Sequence, residues 1–144
     1  MRDVRQHQRL LLGPGGKRVD GRDGRVIGLH HVQLAMPQGE EEAAVKFYGY
    51  MLGLEQISKP PELAPRGGVW FRGPDLELHL GVEDGFRPAT KAHPAFMVDG
   101  LDQLLARLDT AGIRVVEDEV QLAGFHRVYV RDPFGNRIEL IEPT

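Results

Sequence analysis

The chain has 144 residues, of which 41% are hydrophobic and 27% charged, a composition typical of one folded globular domain. Lys and Arg number 18 against 21 Asp and Glu, and this slight negative balance argues against a nucleic-acid-binding protein. Cysteine is absent, which excludes disulfides and thiolate catalysis, so any metal must bind His and carboxylate side chains.

Residues 1–26 are mainly polar and rich in glycine, which predicts a flexible N-terminal leader before a domain that spans residues 27–144. Only residues 10–12 of this leader form an apolar run, so it lacks the pattern of a signal peptide. No run of 18 apolar residues occurs in the chain, which argues against a membrane span. We therefore expect a cytoplasmic protein that binds neither membranes nor nucleic acids.

The first half of the domain, residues 27–84, has the pattern of a strand, a helix and three further strands. Residues 27–36 alternate as a strand does, and residues 40–52 carry apolar side chains at helical spacing, with Gly53 suited to the helix end. The three further strands are predicted at 54–57, 69–72 and 76–81, and the last two form a hairpin.

The second half, residues 91–144, repeats the same order of elements. Its predicted elements are a strand at 93–98, a helix at 99–111, a strand at 113–116, and a hairpin of 125–131 with 137–141. This internal repeat predicts an α+β fold built from two βαβββ modules, 27–84 and 91–144.

Each predicted sheet has one apolar face and one face with an unusual polar composition. Strand alternation places on this second face His31, Gln33, Trp70, Glu77, His79, His93, Arg127, Tyr129 and Glu139. A face that only met water would be richer in Lys, Thr and Ser, so we interpret it as the lining of a cleft. A single strand His is more often structural, but two His with one or two carboxylates on adjoining strands form a usual ligand set for a divalent metal.

The repeat leaves one of these ligand positions open. The separation in sequence between His31 and His93 equals that between Glu77 and Glu139. The separation between the ends of the two predicted helices is three residues smaller. The match of the two glutamates therefore requires a final turn three residues longer in the second module. A smaller extension of that turn would instead make His79 the counterpart of Glu139, so both Glu77 and His79 are candidates.

Four segments of the sequence resemble the vicinal oxygen chelate superfamily, which includes glyoxalase I, bleomycin and fosfomycin resistance proteins, methylmalonyl-CoA epimerase and extradiol dioxygenases. The resemblance covers residues 27–143 and implies paired βαβββ modules whose curved mixed sheets enclose a metal site in a cleft. The residues that carry it are His31–Leu34, Phe47–Tyr48 with Leu52–Leu54, His93, and Asp132–Leu140.

The resemblance implies that a divalent metal (Ni, Zn, Co, Mn or Fe) is held by His31, His93, Glu139 and either Glu77 or His79. The pattern His, Glu, His, Glu of bacterial glyoxalase I-like members favours Glu77, and the neighbouring imidazole of His79 departs from that pattern. Glu139 and Glu77 are the carboxylates expected to move the substrate proton. The expected substrate contacts are Gln33, Trp70, Arg127 and Tyr129.

The resemblance implies a metal-dependent lyase or isomerase of the glyoxalase type, acting on a small molecule that chelates the metal through vicinal oxygens. One alternative is a thiol transferase that confers antibiotic resistance with the same ligands. Another is a metal-free protein that sequesters a ligand, as bleomycin resistance proteins do. A dioxygenase is less expected, because many extradiol enzymes have longer chains. Short two-module members commonly pair, so we expect a homodimer.

Overall fold

The computed structural model describes residues 24–144 together with the backbone of two short paired strands, β1 (Leu11–Leu12) and β2 (Arg18–Val19). The remainder of the predicted leader, with His7, lies outside the described residues. No helix within the described residues is long and apolar enough to cross a membrane.

The first module contains a four-stranded sheet and one helix. Strand order in the sheet is β3–β6–β5–β4, with β3 parallel to β6 and the other neighbours antiparallel. Helix α1 continues directly into a π-helical segment and a single 3₁₀ turn follows β4. The elements are β3 (Val32–Met36), α1 (Glu41–Ala44), the π-helical segment (Val45–Met51), β4 (Glu55–Ile57), the 3₁₀ turn (Ala64–Arg66), β5 (Val69–Gly73) and β6 (Leu76–Val82).

The second module repeats this topology with the order β7–β10–β9–β8, again with one parallel pair. The predicted α+β fold of two βαβββ units is thereby confirmed. Its elements are β7 (Ala95–Met97), α2 (Leu101–Thr110), β8 (Val116–Glu117), β9 (Phe125–Arg131) and β10 (Arg137–Pro143).

Three predicted strands are shorter than the sequence pattern indicated. The strand predicted at 27–36 pairs only from Val32 onwards, because the residues before it are exposed and enter no ladder. The strand predicted at 93–98 is reduced to β7, since Pro94 has no N–H to donate and contributes only its carbonyl, to the Glu139 amide. The strand predicted at 113–116 begins late because the Ile113 amide donates to Leu108 at the end of α2.

The predicted helix at 40–52 is present, but its second part is wound more widely than an α-helix. Phe47 and Tyr48, which are adjacent in sequence, are both buried in this π-helical segment. Together with Leu104 and Leu108 of α2, they belong to one apolar cluster that also includes the inner faces of both sheets. The two modules therefore share a single hydrophobic core.

A buried polar cluster also joins the modules. The Tyr48 hydroxyl donates to Asp132 Oδ2 at 2.7 Å, and the Asn136 side-chain amide donates to the same oxygen at 2.8 Å. Asp132 Oδ1 accepts the backbone amides of Phe134 and Asn136, which closes the turn between β9 and β10. Asn136 also donates to the Ala35 carbonyl in β3. The two segments Phe47–Tyr48 and Asp132–Asn136 are thus in direct contact.

Candidate functional site

The antiparallel pairs of the two sheets show which polar residues occupy equivalent positions. In the first module His79 on β6 pairs with Trp70 on β5. In the second module Glu139 on β10 pairs with Tyr129 on β9. The counterpart of Glu139 is therefore His79, and the counterpart of Tyr129 is Trp70.

The parallel pairs lead to the same assignment. On the parallel neighbouring strands, Gln33 pairs with His79 and Ala95 pairs with Glu139. His31 lies two residues before Gln33, and His93 lies two residues before Ala95. Each module thus has an imidazole just before its first strand and a metal-binding side-chain type on its last strand.

The equal spacing that paired Glu77 with Glu139 is misleading. Four residues separate Arg72 from its partner Glu77, and five separate Arg131 from its partner Arg137. The second turn is therefore one residue longer than the first, not three. Because of this, Glu77 has Arg137 as its counterpart.

The first half-site consists of His31, Trp70, Glu77 and His79. The His79 imidazole lies between two rings: it stacks on Trp70 with 3.7 Å between centroids and on His31 with 4.1 Å. Its Nε2 lies 2.8 Å from Glu77 Oε1, and this contact is the main reason that the pKa of Glu77 is lowered. Because neighbours contact both faces of the ring and one of its nitrogens, His79 is only 5% exposed.

The second half-site consists of His93, Arg127, Tyr129 and Glu139. His93 Nε2 lies 2.9 Å from Glu139 Oε1, and its Nδ1 lies 2.8 Å from the Lys91 carbonyl, which orients the ring. The His93 and Tyr129 rings meet edge to face at 5.5 Å. Glu139 is 5% exposed, and its only nearby cation is the Arg127 guanidinium, whose nearest nitrogen is 3.8 Å away among the described residues.

Arg127 is held in place by the loop before β9. One guanidinium nitrogen donates to Asp118 Oδ2 at 3.1 Å and to the Val120 carbonyl at 3.0 Å, while the buried Nε has no partner in the described part of the chain. The Val120 amide and Arg127 together lower the pKa of Asp118. Burial, followed by the negative charge of Glu139, raises the pKa of Tyr129 and favours its neutral phenol. The loop therefore fixes a cation beside Glu139.

No hydrogen bond, ion pair or ring contact joins the two half-sites within residues 24–144. Among residues 24–144, no three His, Asp or Glu side chains converge in a position to hold one ion. Each half-site contributes its own imidazole and carboxylate. Gln33, which was predicted to contact substrate, is exposed and lies over Gly81. Two further imidazoles lie outside the half-sites: His30 contacts His31, and half-buried His126 pairs with Glu117.

The donor set nevertheless fits a divalent ion. Two ligands bound at right angles, each about 2.1 Å from an ion, lie about 3 Å apart. The 2.9 Å between His93 Nε2 and Glu139 Oε1 and the 2.8 Å between His79 Nε2 and Glu77 Oε1 both match that spacing, so this distance does not by itself choose between Glu77 and His79. Imidazole and carboxylate together suit Zn, Ni, Co, Mn or Fe.

Sequence reasoning missed three arginines that share the face of Tyr129. Arg114, Arg131 and Arg137 line one cavity with Tyr129 at the end of the second sheet. The alternation that placed Arg127 and Tyr129 on this face also places Arg131 there, so the signal was present in the sequence.

Comparisons with known proteins agree with this architecture. Residues 28–140 match the profile of the Glyoxalase/Bleomycin resistance protein/Dioxygenase superfamily. A glyoxalase family protein from Bacillus anthracis is 47% identical over 84% of this chain and 98% of its own, with a TM-score of 0.79. No curated protein is significantly similar to this chain.

Two more distant structures have the same fold. A glyoxalase/dioxygenase from Nostoc punctiforme is 25% identical, with a TM-score of 0.67, over 84% of this chain and 98% of its own. Lactoylglutathione lyase from Agrobacterium tumefaciens is also 25% identical, with a TM-score of 0.61, over 80% of this chain and 92% of its own. The profile match covers most of both modules, and the chain therefore belongs to the glyoxalase/bleomycin resistance/dioxygenase superfamily.

Proposed function

We propose that the protein is a divalent-metal-dependent enzyme of the glyoxalase type, a lyase or isomerase for a small substrate with two vicinal oxygens. The observation that carries the proposal is the register equivalence of the half-sites: His31 and His79 in the first module correspond to His93 and Glu139 in the second. Four metal-binding side chains at repeated positions of one fold are difficult to explain as a solvated sheet surface.

The register favours His79 over Glu77 as the metal ligand from β6. In this assignment Glu77 is a positioning residue, because its carboxylate lies 2.8 Å from His79 Nε2 and leaves Nδ1 available for an ion. The Lys91 carbonyl has the same role for His93, but there it contacts Nδ1 and leaves Nε2 available for the ion. Each imidazole would then present one nitrogen to the ion and have the other held by the protein.

The proposed site is formed between two copies of the chain. No three ligand side chains converge within the described residues, so we infer that four ligands would assemble where the first half-site of one subunit meets the second half-site of another. Met97, an apolar side chain of β7 that is 61% exposed, is available to be covered in such a dimer. A homodimer would contain two identical sites.

A divalent ion in this site would polarise a substrate carbonyl and stabilise the developing oxyanion. Glu139 is the group that we propose accepts the substrate proton, because its carboxylate is buried beside the apolar ring of Tyr129 and has His93 within 2.9 Å. The Arg127 guanidinium lies 3.8 Å from the same carboxylate oxygen and is the cation that faces it within the described residues. Glu77 is the second candidate, and its lowered pKa keeps it ionised but makes it a weaker base.

Metal analysis of two complementary variants tests both the metal and its location. His31→Ala damages only the first half-site and His93→Ala only the second, so each purified variant should lose most of the bound metal. If the site is shared between subunits, a mixed dimer of the two variants contains one intact site and one doubly damaged site. Refolding the two variants together should therefore restore metal to about one site in each mixed dimer, whereas sites within single chains would give no recovery.

Variants on β6 test the ligand assignment. His79→Ala should reduce metal content as strongly as His31→Ala, while Glu77→Gln should keep the metal with a weaker affinity, on the order of 10-fold to 100-fold. His126→Ala removes a half-buried imidazole outside both half-sites, on the same module as His93, and serves as the control. Wild-type protein that binds no metal after reconstitution would refute the enzyme proposal and favour ligand sequestration.

A further inference from the structure

A cavity of about 820 Å³ opens at the end of the second sheet, within the size range of small-molecule sites. Much of its lining is apolar, including Phe47, Met51, Ile113 and Val116. Tyr129 also lines it and connects it with the second half-site, since the same ring contacts His93 at 5.5 Å. The cavity is therefore adjacent to the proposed metal ligands but is built from different residues.

Three arginines form a row across this cavity. Arg137 on β10 pairs directly with Arg131 on β9. Arg114 lies two residues before Val116, which pairs with Tyr129. All three line the cavity. Like charges on directly opposed strand positions destabilise a sheet, so such a row requires a compensating interaction.

The carboxylates near the row are already occupied. Asp132 lines the cavity, but its two oxygens accept hydrogen bonds from Tyr48 and from the turn that follows β9. Asp118 is engaged by Arg127 and by the Val120 amide. No ion pair joins Arg114, Arg131 or Arg137 to an acidic side chain anywhere in residues 24–144.

The arginines differ in how strongly the protein restrains them. Arg137 lies over the Tyr129 ring with 4.0 Å to its centroid, which orients the guanidinium beside an aromatic wall. Arg131 donates one hydrogen bond to the Gly135 carbonyl, and its other guanidinium N–H groups make no hydrogen bond within the described residues. Arg114 is exposed at the edge of the row and makes no side-chain hydrogen bond within the described residues. The row thus presents several planar donors to one apolar cavity.

We propose that this cavity binds the oxyanion end of an amphipathic small molecule, a carboxylate or phosphoryl group attached to an apolar body. Guanidinium groups recognise both anions through paired hydrogen bonds, and the apolar lining accommodates the rest of the ligand. The identification of this ligand as the enzyme's substrate rests on the proposed function. In that case its anionic end lies at the arginine row and its vicinal oxygens lie near His93 and Glu139.

Calorimetric titration tests the cavity without any metal. We would titrate chelator-treated protein with phenyl phosphate, phenylacetate and the neutral benzyl alcohol. Both anions should bind at least about tenfold more tightly than the alcohol, because charge-assisted hydrogen bonds are lost with the neutral probe. The relative affinity of the two anions distinguishes a phosphoryl ligand from a carboxylate ligand. Added salt should weaken both anions and leave the alcohol unchanged.

Arg114→Gln should weaken the binding of each anion about tenfold. This residue is exposed and unpaired in the described chain, so the variant should fold normally, and Arg131→Gln provides a second test. Arg66→Gln removes the same charge from an exposed position in the first module and should bind like wild type. Equal affinities for the alcohol and the anions, or unchanged anion binding in both row variants, would overturn the inference.

The result is separable from the metal experiment. Anion binding in protein that fails to take up metal would support the cavity and refute the enzyme. Metal uptake at the shared site without anion binding would refute the arginine cavity alone.

Discussion

Replacing Tyr48 by phenylalanine tests the polar contact that joins the two modules. The change removes one hydroxyl that donates to Asp132 Oδ2 at 2.7 Å and leaves the ring in the core. Tyr48 is fully buried and Asp132 is 5% exposed, so water cannot readily replace the lost donor. The Asp132 carboxylate still accepts hydrogen bonds from the backbone amides of Phe134 and Asn136 and from the Asn136 side chain.

The magnitude follows from these remaining partners. A hydrogen bond to a charged group contributes about 1.5–3 kcal/mol, and three retained donors place the expected loss at about 2 kcal/mol. With a denaturant dependence of about 2 kcal/mol per molar urea, the unfolding midpoint should fall by about 1 M. The slope itself should not change, since the same surface is exposed on unfolding.

Urea denaturation of the wild type and both tyrosine variants measures this loss. Tyr50→Phe is the matched control, because Tyr50 lies two residues away in the same helical segment and is 79% exposed. Its free energy of unfolding should stay within about 0.5 kcal/mol of the wild type. If Tyr48→Phe were as stable as Tyr50→Phe, the contact with Asp132 would contribute nothing and the reasoning would be refuted.

Tyr48→Phe should also change how the stability of the protein depends on alkaline pH. Burial, and next the charge and hydrogen bond of Asp132, raise the pKa of Tyr48 well above its ordinary value of 10.0. The unfolded chain loses this proton at lower pH than the folded chain, so the contribution is complete below pH 10 and is lost as the pH rises. The stability difference between wild type and Tyr48→Phe should therefore shrink above pH 10, by up to about 1.4 kcal/mol per pH unit.

Two further substitutions test how the fold holds its elements. Glu142 accepts the Leu101 amide at 2.6 Å at the start of α2, so Glu142→Gln should cost about 0.5–1 kcal/mol and Glu142→Ala about 1–2 kcal/mol in thermal unfolding, and equal stabilities of all three proteins would contradict this capping role. Gly68→Ala places a methyl group against the Leu80 carbonyl at a positive φ of 85°, so we expect a loss of about 3 kcal/mol or more. Gly85→Ala, at a φ of 63° with open space around it, should cost only about 1 kcal/mol, and similar losses in the two glycine variants would show that steric contact is unimportant.

Local patterns in the sequence were sufficient to predict the two modules. Helical spacing located the helices, strand alternation located most strands, and turn residues located the final hairpin, whose strand β9 has the predicted limits. The errors fall where a backbone amide is missing or is already used by another element. The Ile113 amide is used by the end of α2, and Pro94 cannot donate, so neither segment extends its strand as its composition suggests.

The contact between Tyr48 and Asp132 shows the same division. The sequence indicates a helix end around Phe47–Tyr48 and a turn at Asp132–Asn136, each from its own composition. Their hydrogen bond joins residues far apart in the chain, and it forms because the shared core brings the helix of one module to the turn of the other. Neither segment carries a local signal for that contact.

The amino-acid sequence by itself determined the element order, the repeat, and the face of each strand, because these depend on periodicity within single segments. It could not separate His79 from Glu77, since the two residues are two apart and strand alternation puts both on one face. Only the tertiary structure shows which of them is the register counterpart of Glu139, through the hydrogen bonds that set His79 level with Trp70 and Glu139 level with Tyr129. That His79 is the metal ligand stays a prediction. Register is a relation between strands, and a residue pattern within one strand does not contain it.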